Sequence, residues 1–199
     1  MLTRNAERHS ENAEFRVDMI ATLKGSIGKM NDLLARLSPR AAARPHRVEP
    51  QPLHDILLGA IAALRAHHEF RLLGDCGQWA QVDPAALEQA LGHLLQNAIE
   101  ASPADEPVTV RVSLAGDEVT IAIFDKGGGM DADFVRSQLF QPFASTKPAG
   151  FGIGAFEARA LIAAMGGRID VESRPGDGTQ FTIHLTAAEP APLKQRKIA

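Results

Sequence analysis

The chain has 199 residues, of which 45% are hydrophobic, and its formal net charge at pH 7 is −3. This length and composition are sufficient for one ordinary globular domain with an appendage. The small negative charge provides no basic face for a polyphosphate backbone, so nucleic acid is not expected as a partner.

The first predicted element is a helix within residues 15–37. Its apolar residues recur at alternating steps of three and four, the narrow seam of a coiled coil or helical bundle: Ile20, Leu23, Ile27, Met30, Leu34 and Leu37. The Ser38-Pro39 pair ends it, because a residue before proline is pushed out of the helical region. A core helix of a single compact domain is the alternative, which Gly25 and Gly28 disfavour. We therefore expect residues 1–38 to belong to helices that pair with partner helices.

Residues 39–52 contain four prolines and are predicted to be an extended linker, with at most a short strand around Arg47-Val48. A helix from Leu53 to about His68 should follow, then strands near 70–73 and 78–82. Asp83-Pro84 then provides the N-cap and first-turn proline of the next helix.

Cys76 is the only cysteine, so an internal disulfide is excluded and a reducing, cytoplasmic compartment is favoured. No apolar run approaches the roughly 20 residues of a membrane span, and the N-terminus lacks the apolar core of a signal peptide. No direct membrane contact is expected for these residues. Any anchor in the inner membrane would belong to other segments of a full-length protein.

The predicted helix over residues 84–101 has two distinct faces. Its apolar stripe comprises Leu87, Leu91, Leu94, Ala98 and Ala101. Beside this stripe, His93, Asn97 and Glu100 line one edge at steps of four and three. Three polar groups therefore share an edge of a helix that is otherwise buried, although Glu100 fits an ordinary solvated charge.

Two hairpins and a further helix complete the predicted domain. Alternating apolar residues over 108–114 and 119–123 flank a turn at Gly116-Asp117. A helix over Ile153–Met165 ends at Gly166-Gly167, and a second hairpin pairs residues 168–173 with 179–186. The alternation predicts an α+β fold, a two-layer sandwich in which helices cover one face of a sheet, and not a doubly wound α/β fold. Residues 187–199 are predicted to be a disordered tail.

Two glycine-rich segments can contact a ligand through the backbone. Asp125 is followed by Lys126 and by Gly127, Gly128 and Gly129 at a strand end, although such a segment alone is more often only a turn. Gly150, Gly152 and Gly154 lead into a helix, whose N-terminal amides can receive phosphate oxygens. A dinucleotide fingerprint is excluded because the segment does not follow a strand, and no P-loop Gly-Lys-Ser/Thr is present.

The order of the motifs is more specific than any one of them. Along the chain stand Asn97, Asp125-x-Gly-x-Gly, Leu139-Phe140-Gln141-Pro142-Phe143, Ser145-Thr146-Lys147, Gly150-x-Gly-x-Gly and Gly178-Thr179-Gln180-Phe181. Over residues 53–186 this series resembles the sensor histidine-kinase branch of the GHKL ATPase superfamily, which includes DNA gyrase, Hsp90 and MutL. The resemblance implies the Bergerat fold, with a mixed sheet, and binding of ATP or ADP with Mg²⁺.

The resemblance also implies a role for each matching residue. Asn97 would ligate Mg²⁺ through its amide oxygen, and the Asp125 carboxylate would accept a hydrogen bond from the adenine amino group. Lys147 would reach the γ-phosphate, and Thr179 would close the adenine pocket. Close approach to the base is implied for Gly127 and Gly129, and the phosphate-binding turn for Gly150, Gly152 and Gly154.

His93 stands where gyrase-like members carry a glutamate that activates water, which favours phosphoryl transfer over rapid hydrolysis; a surface histidine is the alternative. His93, Asn97 and Lys147 are the candidate catalytic residues. Phe140 and Phe143 either anchor a mobile ATP lid over residues 144–150 or are core aromatics. Lys126, where many kinases have a small or amide residue, could form an outward salt bridge or contact phosphate.

Kinases of this class phosphorylate a histidine on the first of two dimerisation helices, and none of the seven histidines has that sequence context. His54-Asp55 is followed by two apolar residues, and His9 lies where the bend between the helices belongs. Residues 4–15 and the motifs around Pro142 and Gly152 resemble PrsK-type kinases of the PEP-CTERM/exosortase system. We therefore expect the chain to begin inside the first dimerisation helix, after the acceptor histidine.

The resemblance further implies homodimerisation of the full-length protein through the N-terminal helices, and a response-regulator aspartate as the final phosphate acceptor. Two other functions stay open. An anti-sigma serine kinase would explain the motifs, but not the helical seam and the proline-rich linker. A nucleotide-binding regulatory pseudo-kinase would not need to keep Asn97 and Lys147.

Overall fold

In the computed structural model, residues 47–145 and 152–190 are described, and they form seven strands and four helices. The strands are β1 (Glu49–Pro52), β2 (Phe70–Gly74), β3 (Trp79–Val82), β4 (Val108–Ala115), β5 (Glu118–Asp125), β6 (Arg168–Arg174) and β7 (Gly178–Ala188). The helices are α1 (Leu53–Leu64), α2 (Pro84–Ala101), α3 (Ala132–Ser137) and α4 (Gly154–Ala164). The predicted seam helix, the first part of the linker, Lys147, Gly150 and most of the predicted tail lie outside the described residues.

The two predicted hairpins join side by side in the middle of the sheet. β5 pairs antiparallel with β4 on one side and with β7 on the other, and β4 pairs parallel with β2. The other edge of β7 is shared, because β6 pairs along its first part and β3 pairs with Ala187 and Ala188, followed by β1. The parallel β2–β4 pair makes the sheet mixed.

One face of this sheet is apolar and is covered by helices. Seven side chains at alternating positions of β4, β5 and β7 are less than 2% exposed: Val108, Val110, Val112, Val119, Ile121, Ile123 and Ile183. They belong to one core together with α2, which packs against both α1 and α4. The opposite face carries polar side chains such as Arg111 and Ser113, both exposed. The predicted α+β sandwich is therefore confirmed.

Helix α2 begins and ends as its sequence predicts. The Asp83 carboxylate accepts hydrogen bonds from the amides of Ala85 and Ala86, both at 3.1 Å, and Pro84 occupies the first turn. The predicted stripe is buried from Leu87 to Ala98. Ala101 is only half-buried, because it ends the helix next to the loop that contains Gly127.

Several boundaries and one burial differ from the prediction, and α1 ends at Leu64 instead of about His68. Glu49–Pro52, at the end of the predicted linker, form β1 and pair with β3. β7 continues to Ala188, two residues into the predicted tail, because β3 supplies it with a partner strand there. Leu114, predicted to be on the buried face, is 49% exposed. The partner strand β2 ends opposite Val112, so β4 lacks a neighbour on that side at Leu114.

None of the described helices is both long enough and apolar enough to cross a membrane.

A network of charged side chains joins β5, β6 and β7 on the polar face of the sheet. Arg168 Nη1 donates to Glu118 Oε1 at 2.5 Å, and His184 Nδ1 lies 2.8 Å from Glu118 Oε2. On its other side, His184 Nε2 lies 3.1 Å from Asp170 Oδ2. The hydrogen bond from Arg168, followed by that from His184, lowers the pKa of Glu118 to about 2.

Glu118 is expected to remain ionised far into the acid range. Because its folded pKa lies below the ordinary value of 4.5, its contribution to stability is fully present above pH 4.5 and is lost as the pH falls towards 2. A carbon-13 NMR titration of the side-chain carboxyl measures this pKa directly. The Arg168→Met variant, which lacks the principal donor, should titrate closer to the ordinary value. An ordinary pKa in the unmodified chain would contradict the described network.

Candidate functional site

Asp125 and Thr179 lie opposite each other at the end of the β5–β7 pair. Asp125 is buried, and its Oδ1 accepts hydrogen bonds from the amides of Gly127 at 2.9 Å and Thr179 at 3.2 Å. A buried carboxylate requires such donors, and both bonds favour its charged form. The two strands therefore hold an oriented carboxylate at one end of the sheet.

The loop after Asp125 packs against the backbone of other elements. A Cβ atom at Gly127 would lie 2.5 Å from the Ala101 carbonyl oxygen. Gly129 has a φ of 67°, and a Cβ there would lie 1.9 Å from the Arg174 carbonyl oxygen. These glycines are thus required by contacts within the protein itself. Their close approach to an adenine base stays a prediction.

Ser173 was not predicted, although it connects three parts of this end of the site. Its Oγ accepts a hydrogen bond from the Met130 amide at 2.8 Å and lies 3.0 Å from both Thr179 Oγ1 and the Gly178 carbonyl oxygen. Ser173 is the register partner of Thr179 in the β6–β7 hairpin. The predicted hairpin could therefore have identified Ser173 as the cross-strand neighbour of a site residue.

The second part of the site lies where α2 meets the N-terminus of α4. Ile153 precedes α4 and has no side-chain acceptor, so it leaves the first amides of the helix without a side-chain cap. A Cβ at Gly154 would lie 3.7 Å from Asn97 Oδ1 and 3.8 Å from His93 Cβ. The polar edge predicted for α2 therefore lies directly beside the glycine-rich start of α4.

Position 152, in the same turn, also requires a glycine. Its φ is 65°, and a Cβ there would lie 2.3 Å from the Ala144 carbonyl oxygen. The turn is thus held close to the segment that follows Phe143. Two predicted members of this part of the site, Lys147 and Gly150, lie outside the described residues.

The two predicted aromatic residues have different environments. Phe140 is partly buried against the core, and the Arg159 guanidinium carbon lies 4.9 Å from the centre of its ring. Phe143 is 59% exposed. Its φ is 66°, in the left-handed region that residues other than glycine rarely adopt. The core alternative therefore holds for Phe140 and is wrong for Phe143.

Two charged contacts complete the surroundings of the site. Lys126 Nζ lies 3.0 Å from Glu106 Oε2 and is largely exposed, so it forms the outward salt bridge foreseen as one of its alternatives. Glu157, in the first turn of α4, is buried, and its Oε2 lies 3.0 Å from His93 Nε2. Glu157 was not predicted, because the sequence gives no sign that two residues 64 positions apart meet. His93 is correspondingly not a plain surface histidine.

The site thus has two ends, one beside Ala101 and the other beside His93 and Asn97, and these three residues follow one another at steps of four along α2. One contains Asp125, Gly127, Gly129 and Thr179, and the other contains His93, Asn97, Gly152 and Gly154. Within residues 47–145 and 152–190, no group of three or more His, Cys, Asp or Glu side chains could hold a metal ion.

Known proteins resemble this chain in sequence. Residues 82–189 match the family profile described as histidine kinase-, DNA gyrase B- and HSP90-like ATPase. The C4-dicarboxylate transport sensor protein DctB of Rhizobium meliloti is 33% identical over 181 residues, which are 86% of this chain and 28% of that protein. The sensor histidine kinase ZraS of Klebsiella oxytoca is 39% identical over 106 residues, which are 53% of this chain and 23% of that protein.

Solved structures support the fold. Full-length ShkA, in complex with AMPPNP, aligns with a TM-score of 0.72 and 23% identity over 91% of this chain and 40% of that one. The mycobacterial sensor histidine kinase MprB aligns with a TM-score of 0.64 and 22% identity over 72% of this chain and 99% of that one. The chain spans about a quarter of the length of the curated relatives quoted above.

The packing of the Asp125 loop gives a direct test. Replacing Gly129 by alanine should destabilise the fold by about 1–3 kcal/mol, because the added methyl group meets the Arg174 carbonyl oxygen in a left-handed conformation. Gly128→Ala is the matched control, since no heavy atom lies within 4 Å of its Cβ position. Urea denaturation of both variants measures the difference. Equal midpoints would show that the loop is not held against β6.

Proposed function

Since the chain belongs to the histidine kinase-, DNA gyrase B- and HSP90-like ATPase family, we propose that its site binds ATP with Mg²⁺ and transfers the γ-phosphate to a protein histidine. The residues 82–189 that match the family contain the full set of site residues. The observation that carries the proposal is the position of the buried Asp125 carboxylate and the Asn97 side chain at two ends of one site.

The Asp125 end suits an adenine base. A carboxylate accepts hydrogen bonds and cannot donate one when ionised, so it favours the amino group of adenine over the carbonyl group of guanine. Its orientation is set by the amides of Gly127 and Thr179. The Thr179 hydroxyl, held by Ser173, is positioned to complete the polar contacts of the pocket.

The α4 end suits phosphate. Amides at a helix N-terminus and the positive end of the helix dipole favour anionic oxygens. Asn97 would provide an oxygen ligand to Mg²⁺, an ion that binds few protein ligands and usually keeps several waters. When bound, Mg²⁺ neutralises charge on the phosphates. We assign Lys147 to the γ-phosphate and Gly150 to the phosphate turn on the sequence motif alone.

Phosphoryl transfer depends chiefly on positioning the nucleotide and the acceptor. His93 does not carry the carboxylate that activates water in gyrase-like relatives, which favours transfer to a protein group. We propose that the acceptor histidine belongs to dimerisation helices of a full-length sensor kinase that acts as a homodimer. The phosphate would then pass to a response-regulator aspartate. A cytoplasmic location with an inner-membrane anchor elsewhere, and a PrsK-type subfamily, are the corresponding finer proposals.

The first test concerns nucleotide selectivity. We expect calorimetry to show binding of ATP and ADP with Mg²⁺ and much weaker binding of GTP. Asp125→Asn should lower ATP affinity roughly 10- to 100-fold, because a donor replaces one acceptor oxygen at the base while the bonds to Gly127 and Thr179 can persist. Asp117→Asn, exposed at the opposite end of β5, is the matched control. Equal affinity for GTP and ATP would exclude the assigned role of Asp125.

The second test concerns phosphoryl transfer. With ATP radiolabelled at the γ-phosphate and Mg²⁺, the chain alone should remain unlabelled, because none of its seven histidines has the acceptor context. Joining the acceptor helix of a PrsK-type kinase ahead of residue 1 should produce acid-labile, base-stable label. Asn97→Ala, or loss of the acceptor histidine, should abolish it.

A joined chain that binds ATP without becoming labelled would favour a nucleotide-binding regulatory function. Label on the chain alone would place the acceptor among its own histidines, of which His9 and His54 are the foremost candidates.

A further inference from the structure

The contact between Glu157 and His93 is buried beside the proposed phosphate end of the site. The side chain of Glu157 is 10% exposed and that of His93 is 19% exposed, with 3.0 Å between Oε2 and Nε2. Glutamate is rarely buried unless it is paired. The burial of Glu157 therefore calls for a partner that compensates its charge.

The pair joins the two helices that carry the phosphate end. Glu157 lies one turn after Gly154 on α4, and His93 lies one turn before Asn97 on α2. The Cβ position of Gly154 is close to Asn97 Oδ1 and to His93 Cβ, so the four residues surround one contact point between the helices. A shift of α4 along α2 would separate the first amides of α4 from the Asn97 side chain, and it would also break the Glu157–His93 contact.

The contact also bears on the tautomer of the His93 imidazole. Nε2 and Oε2 meet at ion-pair distance, 3.0 Å, without the alignment of a hydrogen bond. For an ionised Glu157 to accept from this ring, Nε2 must carry the proton, since a carboxylate only accepts hydrogen bonds. Carboxylates bonded to histidines set the tautomer and the ring orientation in many functional sites. In that arrangement the histidine N–H would compensate the charge of a buried carboxylate, which bound phosphates would otherwise repel.

We infer that Glu157 is a positioning residue of the nucleotide site. Through His93, it holds α2 and α4 in the alignment that brings Asn97 beside the Gly152–Gly154 turn, and it keeps the His93 ring in one tautomer. This inference rests on the proposed function, because it assigns Mg²⁺ and phosphate binding to that turn. It adds a residue to which neither the sequence motifs nor the family resemblance assigns a role.

Replacing Glu157 by methionine tests the inference, because methionine keeps much of the buried volume and removes the acceptor. We expect the affinity for ATP with Mg²⁺ to fall about 10- to 100-fold, the range for residues that orient a metal ligand. Affinity for adenosine, which lacks phosphates, should stay as in the unmodified chain. Glu157→Gln keeps a carbonyl acceptor and should recover most of the affinity.

The double variant His93→Met, Glu157→Met shows whether Glu157 acts through His93. If it does, the double variant binds no more weakly than His93→Met alone; additive losses would contradict the inference. Unchanged ATP affinity in Glu157→Met, or an equal loss of adenosine affinity, would also overturn it. Absence of ATP binding in the unmodified chain would instead refute the proposed function.

The ring nitrogens of His93 provide a readout that needs no nucleotide. In the nitrogen-15 NMR spectrum of the unmodified chain, with His93 assigned by its loss in His93→Gln, Nε2 should be the protonated nitrogen. The same pattern is expected in Glu157→Gln, and averaged tautomers are expected in Glu157→Met. If His93 in the unmodified chain already shows averaged tautomers, Glu157 does not position it, whatever the stability of the variants.

Discussion

The buried carboxylate of Asp125 is the constraint to which the rest of this end of the molecule conforms. A charge removed from water must be satisfied, and here the amides of Gly127 and Thr179 satisfy it. To supply them, the loop after β5 closes onto Ala101, and the start of β7 closes onto the Asp125 backbone. Gly178, whose φ is 82°, comes so close that a Cβ would lie 2.0 Å from the Asp125 carbonyl oxygen. Glycine at positions 127 and 178 is thus required by the close packing that holds this one carboxylate.

Much of the fold could be predicted because its elements follow the two simplest periodicities. Alternation in β4 and β5 and the 3.6-residue stripe of α2 each arise from burial on one side, and both were identified. β1 was missed because its residues Glu49–Pro52 include two prolines and no alternation, and only pairing with β3 makes them a strand. Leu114 was placed on the buried face because a pattern cannot show that β2 ends opposite Val112.

The site residues likewise divide into those that the sequence could identify and those that it could not. Asp125, Asn97 and the glycines belong to local motifs, so the sequence alone could single them out, and their roles towards a ligand stay predictions. Ser173 and Glu157 act through partners distant in sequence, Met130 and His93. Only the hairpin register, which sets Ser173 opposite Thr179, gave a sign of Ser173, and Glu157 carries no local signal. Glu157 in particular stands in an alanine-rich helix where an acidic residue would ordinarily be assigned to solvent. The burial of its side chain, which identifies Glu157, can be seen only in the three-dimensional structure.

The contact between Asp125 and Thr179 also has a consequence for biosynthesis. The two residues are 54 positions apart and belong to different hairpins, β4–β5 and β6–β7. Each hairpin is local and can form early, whereas the pairing of β5 with β7 must wait until the second hairpin has left the ribosome. During translation, the Asp125 carboxylate therefore leaves the ribosome well before the Thr179 amide that donates a hydrogen bond to it. Until then the nascent domain has no assembled nucleotide pocket, so cellular ATP can stabilise only the chain in which both hairpins have joined.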